Sequence, residues 1–549
     1  TFPDTPPLSV YNTVVNAGPF HEIRREADGY DLGLYARRSL AAVLERDADE
    51  IFTLTRQGLA FYAEAFAMPF PQRKYDQVFV PEFGGAMENY GCVTWSDVFL
   101  RRTEPTPAER ELLAVVLLHE MAHMWFGNIV TMRWWDDLWL NEAFAEFACH
   151  WAAEGATRHT DAWASHLVVG KIRAYLSDQG PASHPIHQPI HDVAQAASIF
   201  DNITYPKGAS VLLQLMTYVG EDRFRTGMAA YFARHAWGNT PLQDLIDALA
   251  EASGRDLAAW RRAWLETAGT DRFSLEREGE SVTLVAAGTP RPQVLAVGAY
   301  EAKGDSLERG ALVRVEVTGP RTPVTGLPAT ADVLLVNDED LTFATTRPDA
   351  TTRDTLFRTA ARLPTAISRG VAAVTVWDML TTGEATAAEA GRCITAVVAA
   401  ETPDGGSEPD TNPAAGVPER VGAAGEPAGL TRGFAAVCPA KFTGLGGHAT
   451  PRKPADRYAD AQDMRAELDA IADELSLPPF RVPAPPNSAQ HLSAPLHHSH
   501  MQASEAPTET TSRAQPPPLL PPRQHTRELT RDDWQPAEPE YQPVSGQFA

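Results

Sequence analysis

The sequence predicts a multidomain α+β protein: a mainly helical part with a small sheet, then a small β-sandwich, then further helices. Three observations predict this class. At 549 residues, the chain is too long for a single hydrophobic core. Apolar residues recur at helical spacing over much of 39–267. Residues from about 270 to 343 instead form short alternating or apolar runs separated by Gly and Pro, as strands do.

The first elements predicted are strands and a long helix. Residues up to about Phe20, LSVYNTVVNAGPF, are predicted to form one or two short strands that end in a Gly-Pro turn. A helix is expected over residues 39–66, before a break at Pro69. The runs QVFV (77–80) and CVTW (92–95) are predicted strands, and they flank the loop PEFGGAMENYG. This order indicates the edge of a sheet.

Two buried helices follow. Thr106 offers an N-cap, Pro107 the first helical position, and Glu109 the acid of a capping box. The run ELLAVVLLHEMAHMWF after it is apolar nearly all round, which is typical of a buried helix. A second helix should begin after Asp136-Asp137, contain NEAFAEFACHWAAE, and end at Gly155.

The last part of the chain has a different composition. Helical spacing returns over residues 349–401. Beyond that, 23 of the 44 prolines fall among residues 403–549, together with much Gly, Ser, Thr and Ala. Such a segment cannot bury enough apolar surface to offset its ordering entropy, so we predict a mostly disordered tail with one helix at 459–475.

Composition also excludes several classes of function. The net charge of -24, without a dense Lys/Arg cluster, argues against a nucleic-acid partner. The four cysteines are far apart and form no CxxC pair, as expected for reduced thiols in a cytoplasmic protein. No apolar run reaches the length of roughly 18 residues that a membrane span needs. We therefore expect a soluble, acidic, cytoplasmic enzyme.

The stretch HEMAHMWFGNIVTMRWWDDLWLNEAF, from His119 to Phe144, predicts a zinc site. On a helix, His119 and His123 lie one above the other and present their imidazoles to one point. Glu142, on a separate helix, can supply a third ligand, which leaves the fourth position of zinc to water, as in catalytic sites. Glu120 can reach that water as a base. HExxH alone also occurs in helices with ordinary core histidines, but the added acid favours zinc.

Two further side chains have open interpretations. Glu146 lies one helical turn after Glu142, where it could accept a hydrogen bond from a ligand or be simply solvated. Lys207 is expected to be a solvated surface charge.

These residues resemble those of the M1 family of zinc aminopeptidases, the aminopeptidase N type, especially its actinobacterial members. The matching segments are HEMAHMWFGN with WWDDLWLNEAFAEF, then GGAMENYG, similar to the family's exopeptidase (GAMEN) motif, then ITYPKGASVLLQL, similar to the segment of its catalytic tyrosine. The resemblance covers about residues 10–402. It implies a zinc-dependent aminopeptidase, one Zn²⁺ per chain, acting on peptides that have a free N-terminus.

The resemblance also implies a role for each matching residue. His119, His123 and Glu142 would bind zinc, while Glu120 would be the general base and later the acid. Tyr205 would stabilise the oxyanion. The resemblance implies two kinds of substrate contact. The Glu88 carboxylate would pair with the α-ammonium of the substrate, and the loop backbone would pair with the extended peptide. The loop residues are Gly85, Ala86, Met87 and Asn89. From the residues alone, Glu88 and Asn89 could instead be turn formers, and Tyr205 a packing aromatic.

The implied domain organisation departs from the family at both ends. We expect residues 1–20 to be a remnant of an N-terminal β domain, 21–268 a thermolysin-like catalytic domain, 269–345 a β-sandwich, 346–402 a partial helical domain, and 403–549 an unrelated Pro-rich tail. Most of the family's first domain is thus predicted to be missing. Two alternatives stay open: an M1-like hydrolase of other specificity, such as an endopeptidase or epoxide hydrolase, and an inactive fragment. We expect a monomer without membrane partners.

Overall fold

The computed structural model of the chain describes residues 5–401. The tail of residues 403–549, with its predicted disorder and its predicted helix at 459–475, lies outside the described residues. In the part that is described, no helix is both long and apolar enough to cross a membrane.

The first sheet has five strands in the order β1-β2-β3-β5-β4. Its central strands run parallel, whereas the two outer ones are antiparallel to their neighbours. β4 follows the GG pair and lies at one edge of the sheet. The predicted strands at 77–80 and 92–95 are confirmed within these elements: β1 (Phe20–Ala27), β2 (Tyr30–Arg37), β3 (Lys74–Val80), β4 (Ala86–Met87) and β5 (Cys92–Ser96).

Among the described residues, 41–265 also contain ten α-helices and two short parallel strands. The predicted long helix and both predicted buried helices are confirmed as the first three of them. In chain order the elements are α1 (Ala41–Ala65), α2 (Pro107–Ala122), β6 (Val130–Met132), α3 (Leu138–Ala156), α4 (Ala162–His166), α5 (Ile172–Asp178), α6 (Val193–Ser198), α7 (Gly208–Val219), α8 (Glu221–His235), β7 (Gly238–Thr240), α9 (Leu242–Ser253) and α10 (Ala258–Leu265).

The start of α2 has the capping box that the sequence predicts. The Thr106 hydroxyl accepts a hydrogen bond from the Glu109 amide at 3.3 Å, and the Glu109 carboxylate accepts one from the Thr106 amide at 3.0 Å. Two of the otherwise unsatisfied donors of the first turn are thereby paired. Because the helix starts at a fixed residue, the direction in which the side chain of His119 points from its last turn is also fixed.

Residues 271–347 form two sheets, with strand orders β11-β10-β13 and β12-β9-β8-β14. One apolar cluster contains side chains of both sheets, including Leu295 and Val297 from one and Phe273 and Leu284 from the other. The predicted change from helices to short strands after residue 270 is therefore correct. The strands are β8 (Asp271–Glu278), β9 (Ser281–Ala286), β10 (Val294–Lys303), β11 (Ser306–Glu316), β12 (Arg321–Val324), β13 (Val333–Val336) and β14 (Ala344–Arg347).

Three helices follow, as the spacing over 349–401 predicts: α11 (Ala350–Thr359), α12 (Ala366–Thr381) and α13 (Ala387–Ala400). The fold is thus of the mixed α+β class, with several small sheets. The domain boundaries expected from the sequence stay predictions.

Two expectations are wrong. Among the described residues no strand precedes Phe20; the segment before it contains a 3-10 turn at Val10–Asn12 instead. Strand formation requires a paired neighbour, whereas here the Asn12 carbonyl accepts a hydrogen bond from the Asn89 side chain. Lys207 is not solvated, since its side chain is 1% exposed and its ammonium lies 2.9 Å from Asp178 Oδ2. A lysine buried this deeply requires such a partner.

Candidate active site

The two histidines of the predicted zinc site face each other where α2 ends. His119 lies in the last turn of α2, and His123 directly follows the helix. Their Nε2 atoms are 3.2 Å apart. Both side chains are largely buried, with 12% and 1% exposed respectively. The four-residue spacing therefore brings two imidazole nitrogens to one point, as the sequence predicts.

Glu142, on α3, completes a three-atom set. Its Oε2 lies 3.6 Å from His119 Nε2 and 3.5 Å from His123 Nε2. Bonds of about 2.0–2.1 Å to a tetrahedral zinc ion place neighbouring donor atoms about 3.4 Å apart. The observed spacings match that value within a few tenths of an ångström. Two imidazoles and a carboxylate in this arrangement thus fit a zinc ion and leave its fourth position open.

Each of the three candidate ligands is held by a second group. His123 Nδ1 lies 3.1 Å from the Phe126 carbonyl oxygen, to which it donates, so its Nε2 lone pair is available for a metal. His119 Nδ1 lies 3.3 Å from Glu146 Oε2 in the same way. The Asn141 amide donates to Glu142 Oε1 at 3.3 Å, which leaves Oε2 for the metal. Such partners fix the tautomer and the orientation of metal ligands. Of the two interpretations of Glu146, the structure supports the ligand-orienting one.

Gly127 allows this packing. Its φ of +121° is one that L side chains rarely adopt, and a Cβ there would lie 2.4 Å from Asn141 Oδ1 and 3.2 Å from His123 Nδ1. A side chain at this position would therefore displace the candidate ligand His123 and the Asn141 side chain that orients Glu142. Neither Gly127 nor Asn141 was expected from the sequence. Asn141 gives one local signal, a polar residue directly before the ligand glutamate in an otherwise apolar helix.

The site attracts positive charge. Burial alone would lower the pKa of His123, but the Glu88 and Glu142 carboxylates raise it to about 9. Burial alone would raise the pKa of Glu142, but His123 and His119 hold it well below its usual range. A divalent cation would be stabilised by the same negative potential that stabilises protonated histidine here.

Glu120 lies between the two histidines in sequence and is buried, with 6% of its surface exposed. Burial raises its pKa to about 7, although His119 opposes the shift. A carboxyl group with a pKa close to neutral can both take and return a proton at physiological pH. This property suits a general base that must later act as an acid.

Tyr205 stands beside the histidines on a π-helical turn, Ile203–Lys207, that leads into α7. Its ring stacks on the His119 ring with centroids 6.3 Å apart and planes 16° apart. A Cβ on Gly208 would lie only 2.6 Å from Ala143 Cβ, so α7 approaches α3 closely only because position 208 is glycine. Burial and then Glu142 raise the pKa of Tyr205 well above 10, so the phenol remains a hydrogen-bond donor.

An aspartate caps the turn that carries Tyr205. Asp201 Oδ1 accepts hydrogen bonds from the Ile203 and Thr204 amides at 2.9 and 3.0 Å. Its other oxygen lies 2.8 Å from His184 Nε2. That hydrogen bond raises the pKa of His184. Burial alone would raise the pKa of Asp201, but His184 lowers it.

The GAMEN segment lies across from the histidines. Ala86 and Met87 pair with Trp95 and Thr94 of β5, and no other described strand pairs with the outer edge of β4. The Gly85 carbonyl accepts a hydrogen bond from Ser96. Residues 85–87 therefore present an edge to which an extended peptide could add.

The carboxylate of Glu88 lies close enough to His123 and Tyr205 to raise the pKa values of both. Its backbone carbonyl accepts a hydrogen bond from the Asn128 amide at 2.8 Å. The Tyr11 hydroxyl donates to Glu88 Oε1 at 3.2 Å. Neither Tyr11 nor Asn128 was expected from the sequence, because both contacts join residues distant along the chain.

The side chain of Asn89 is occupied within the protein. Its amide donates to the Asn12 carbonyl at 3.0 Å, and its Oδ1 accepts from the Thr94 hydroxyl at 2.8 Å. Its backbone is engaged as well, because the Asn89 N–H donates to the Met87 carbonyl at 2.9 Å and the Asn89 carbonyl accepts from the Cys92 amide at 2.8 Å. The substrate-binding roles of residues 85–89 stay predictions.

Comparisons with known proteins agree with this geometry. Residues 51–264 match the model of the peptidase family M1 domain. The chain is 44% identical over 406 residues to aminopeptidase N of Streptomyces lividans, an alignment that covers 69% of this chain and 47% of that protein. It is 33% identical over 285 residues to tricorn protease-interacting factor F2 of Thermoplasma acidophilum, covering 52% of this chain and 36% of the relative. It is 36% identical over 272 residues to aminopeptidase M1-A of Oryza sativa subsp. japonica, covering 49% and 30%.

The chain thus spans less than half the length of these curated relatives. The matched region contains the GAMEN segment, both histidines, Glu142 and Tyr205. The resemblance inferred from the motifs is confirmed: residues 51–264 carry a peptidase family M1 domain, and the chain is similar to an aminopeptidase N.

Proposed function

We propose that this protein is a zinc-dependent aminopeptidase that hydrolyses the N-terminal peptide bond of peptides. One observation carries the proposal. Three donor atoms have the spacing of a tetrahedral zinc site, and the buried carboxylates of Glu120 and Glu88 lie close enough to raise the pKa values of His119 and His123 respectively. Two of the similar proteins are aminopeptidases by name, aminopeptidase N and aminopeptidase M1-A, which supports the same activity.

His119, His123 and Glu142 would hold the zinc ion. When bound, zinc supplies a Lewis acid that polarises a carbonyl and lowers the pKa of water to roughly 7. The groups that orient these ligands, Glu146 and Asn141 among them, keep the donor atoms in place and reduce the reorganisation that binding requires.

The substrate would bind along the edge of β4. Backbone groups of residues 85–87 would add the peptide to the sheet as a further strand. The Glu88 carboxylate would then form a charge-assisted hydrogen bond with the free α-ammonium. Because a fixed anion at this point selects a chain end, the protein would release single N-terminal residues and would not cut within a chain.

The proton transfers would be carried out by Glu120, with Tyr205 as a donor. Glu120 takes a proton from the attacking water and later passes it to the leaving amine, as its pKa of about 7 permits. Tyr205 remains protonated and donates a hydrogen bond to the oxygen on which negative charge develops.

The finer organisation is also part of this proposal. Residues 21–268 would form a thermolysin-like catalytic domain, 269–345 a β-sandwich and 346–402 a partial helical domain. We further propose a cytoplasmic monomer whose partners are peptides with a free N-terminus, since the net charge of -24 is unsuited to nucleic acid.

The test is the release of the first residue from a short peptide by the purified full chain supplied with zinc. Glu120→Gln should lower kcat about 10²-fold to 10⁴-fold, the usual contribution of a general base. Glu64→Gln, at an exposed position on α1, is the matched control and should behave as wild type. Loss of a charged hydrogen bond of about 1.5–3 kcal/mol should make the N-acetylated peptide roughly 10-fold to 150-fold poorer.

The outcomes separate the alternatives. Equal cleavage of the acetylated and free peptides would refute the role of Glu88 and indicate an endopeptidase. Turnover of an epoxide but not of peptides would indicate the other M1-like specificity. A folded, zinc-bound chain without turnover on either would refute the proposed activity for this chain.

A further inference from the structure

A second group of metal-binding side chains lies behind the first. Glu146 and His150 are four residues apart on α3, and His166 ends α4. Glu146 Oε1 lies 3.6 Å from His150 Nε2 and 3.8 Å from His166 Nδ1. All three donor atoms lie within 4.8 Å of one another. The proposed aminopeptidase mechanism uses neither histidine.

The hydrogen bonding of His166 directs a lone pair towards Glu146. The Ser210 hydroxyl donates to the Pro206 carbonyl at 2.7 Å, so it can only accept from His166 Nε2, which is 3.4 Å away. The proton of the neutral imidazole is then on Nε2, and the lone pair on Nδ1 faces a carboxylate oxygen. Within residues 5–401 this buried Nδ1 has no hydrogen-bond partner. Two acceptors that face each other in a buried space repel unless a positive charge lies between them.

The two imidazoles are buried and held in position. His150 is 5% and His166 3% exposed, whereas the Glu146 side chain is 23% exposed. The Trp163 ring packs against both imidazoles with centroids 5.3 Å away in each case. The histidines are therefore preorganised, and an ion would reach them past the exposed side of Glu146.

We propose that Glu146, His150 and His166 form a second binding site for a divalent transition-metal ion such as Zn²⁺. Two imidazoles and one carboxylate favour zinc or cobalt over calcium or magnesium, which prefer sites made of oxygen atoms. The observed spacings of 3.6 and 3.8 Å exceed the tetrahedral value of about 3.4 Å by a few tenths of an ångström. Small side-chain rotations would close that difference.

The two sites share Glu146. Its Oε2 lies 3.3 Å from Nδ1 of His119, a ligand of the first site, while its Oε1 faces the second site. An ion in the second site withdraws electron density from the carboxylate and weakens that hydrogen bond. Two nearby cations also repel each other. The second ion should therefore bind more weakly than the first, and each should reduce the affinity of the other by the same factor.

The experiment is a Zn²⁺ titration of the chelator-treated full chain by calorimetry, with bound metal measured by elemental analysis. The tail residues His497, His498 and His500 are replaced by alanine throughout, because histidines there could bind ions of their own. We expect two equivalents in this background. His166→Phe and His150→Gln should each bind one, and the first-site affinity should be retained. His191→Phe, an exposed control, should bind two.

A variant that keeps all three ligands tests the hydrogen-bond argument. Ser210→Ala removes the acceptor that fixes the His166 tautomer and should weaken second-site binding about 10-fold to 100-fold. Thermal unfolding of each variant checks that it is folded. A single equivalent in the background protein would overturn the proposal. Two equivalents that persist in both His166→Phe and His150→Gln would overturn it as well, because the second ion would then be bound elsewhere. Neither result depends on peptidase activity.

Discussion

Replacing Gly127 by alanine should weaken zinc binding more than it weakens the fold. The new Cβ would lie 2.4 Å from Asn141 Oδ1, about 1.0 Å inside the shortest ordinary contact of 3.4 Å. The hydrogen bond from Asn141 to Glu142 Oε1 is already 3.3 Å long, so a shift of that size would break it. Loss of a partner that orients a metal ligand typically costs 10-fold to 100-fold in affinity, or about 1.4–2.7 kcal/mol.

The assay is competition for Zn²⁺ with a chelator of known affinity, together with thermal unfolding. Gly220→Ala is the matched control, because Gly220 also has a positive φ, +90°, but no described atom lies within 4 Å of its added Cβ. Both variants should lose about 1–3 kcal/mol of stability from backbone strain. Only Gly127→Ala should also lose zinc affinity. Equal zinc affinities for the two variants would refute the inference that Gly127 positions Asn141 and thereby Glu142.

Three further predictions concern other contacts. Tyr11→Phe removes the hydroxyl that donates to the Glu88 carboxylate, which we propose binds the substrate amine, so KM for peptides should rise about 2-fold to 10-fold with kcat unchanged; steady-state kinetics would contradict this if kcat alone fell. The pKa of His184 is raised by its hydrogen bond to Asp201. This ion pair therefore stabilises the fold fully below the pKa of histidine in the unfolded chain, about 6.5, and the stabilisation is lost as pH rises through the pKa of His184 in the folded protein. The Tm deficit of His184→Gln, worth about 1 kcal/mol or less, should accordingly be largest between roughly pH 4 and 6.5 and vanish at higher pH; a deficit that stays constant would argue against the pair. Lys171→Met leaves the buried Asp340 without its cation and should lower the free energy of unfolding by about 3–5 kcal/mol. Lys303→Met, which removes the exposed pair with Glu308, should lower it by less than about 1 kcal/mol. Denaturant unfolding measures both.

The sequence predicted that His119, His123 and Glu142 converge because helical geometry and local capping determine their positions. The capping box at Thr106 fixes where α2 begins, and the 3.6-residue period then places His119 and His123 on one side of its end. The position of Glu142 follows from a second apolar helix. These are short-range properties, and the observed distances of 3.2–3.6 Å between donor atoms agree with them.

The residues that the sequence did not predict are set by contacts between distant segments. Lys207 was expected to be a surface charge because nothing near it in the sequence indicates that Asp178, 29 residues away, lies beside it. Asn128 and Tyr11 contact Glu88 across 40 and 77 residues. The predicted strands before Phe20 are wrong for a related reason. The run VYNTVV has β-forming residues, but strand structure depends on a neighbour to pair with, and local composition does not supply one.

The contacts of Glu88 extend beyond the residues that match the peptidase family M1 domain. That match begins at residue 51, yet Tyr11 binds the Glu88 carboxylate and the Asn12 carbonyl binds the side chain of Asn89. A carboxylate that must meet a substrate ammonium gains from being fixed beforehand, because less conformational entropy is lost on binding. Residues 11–12 therefore contact the proposed substrate site, although no chemical step of the proposal requires them. Removal of residues 11–12 should change KM for peptides before it changes the affinity of the proposed site for zinc.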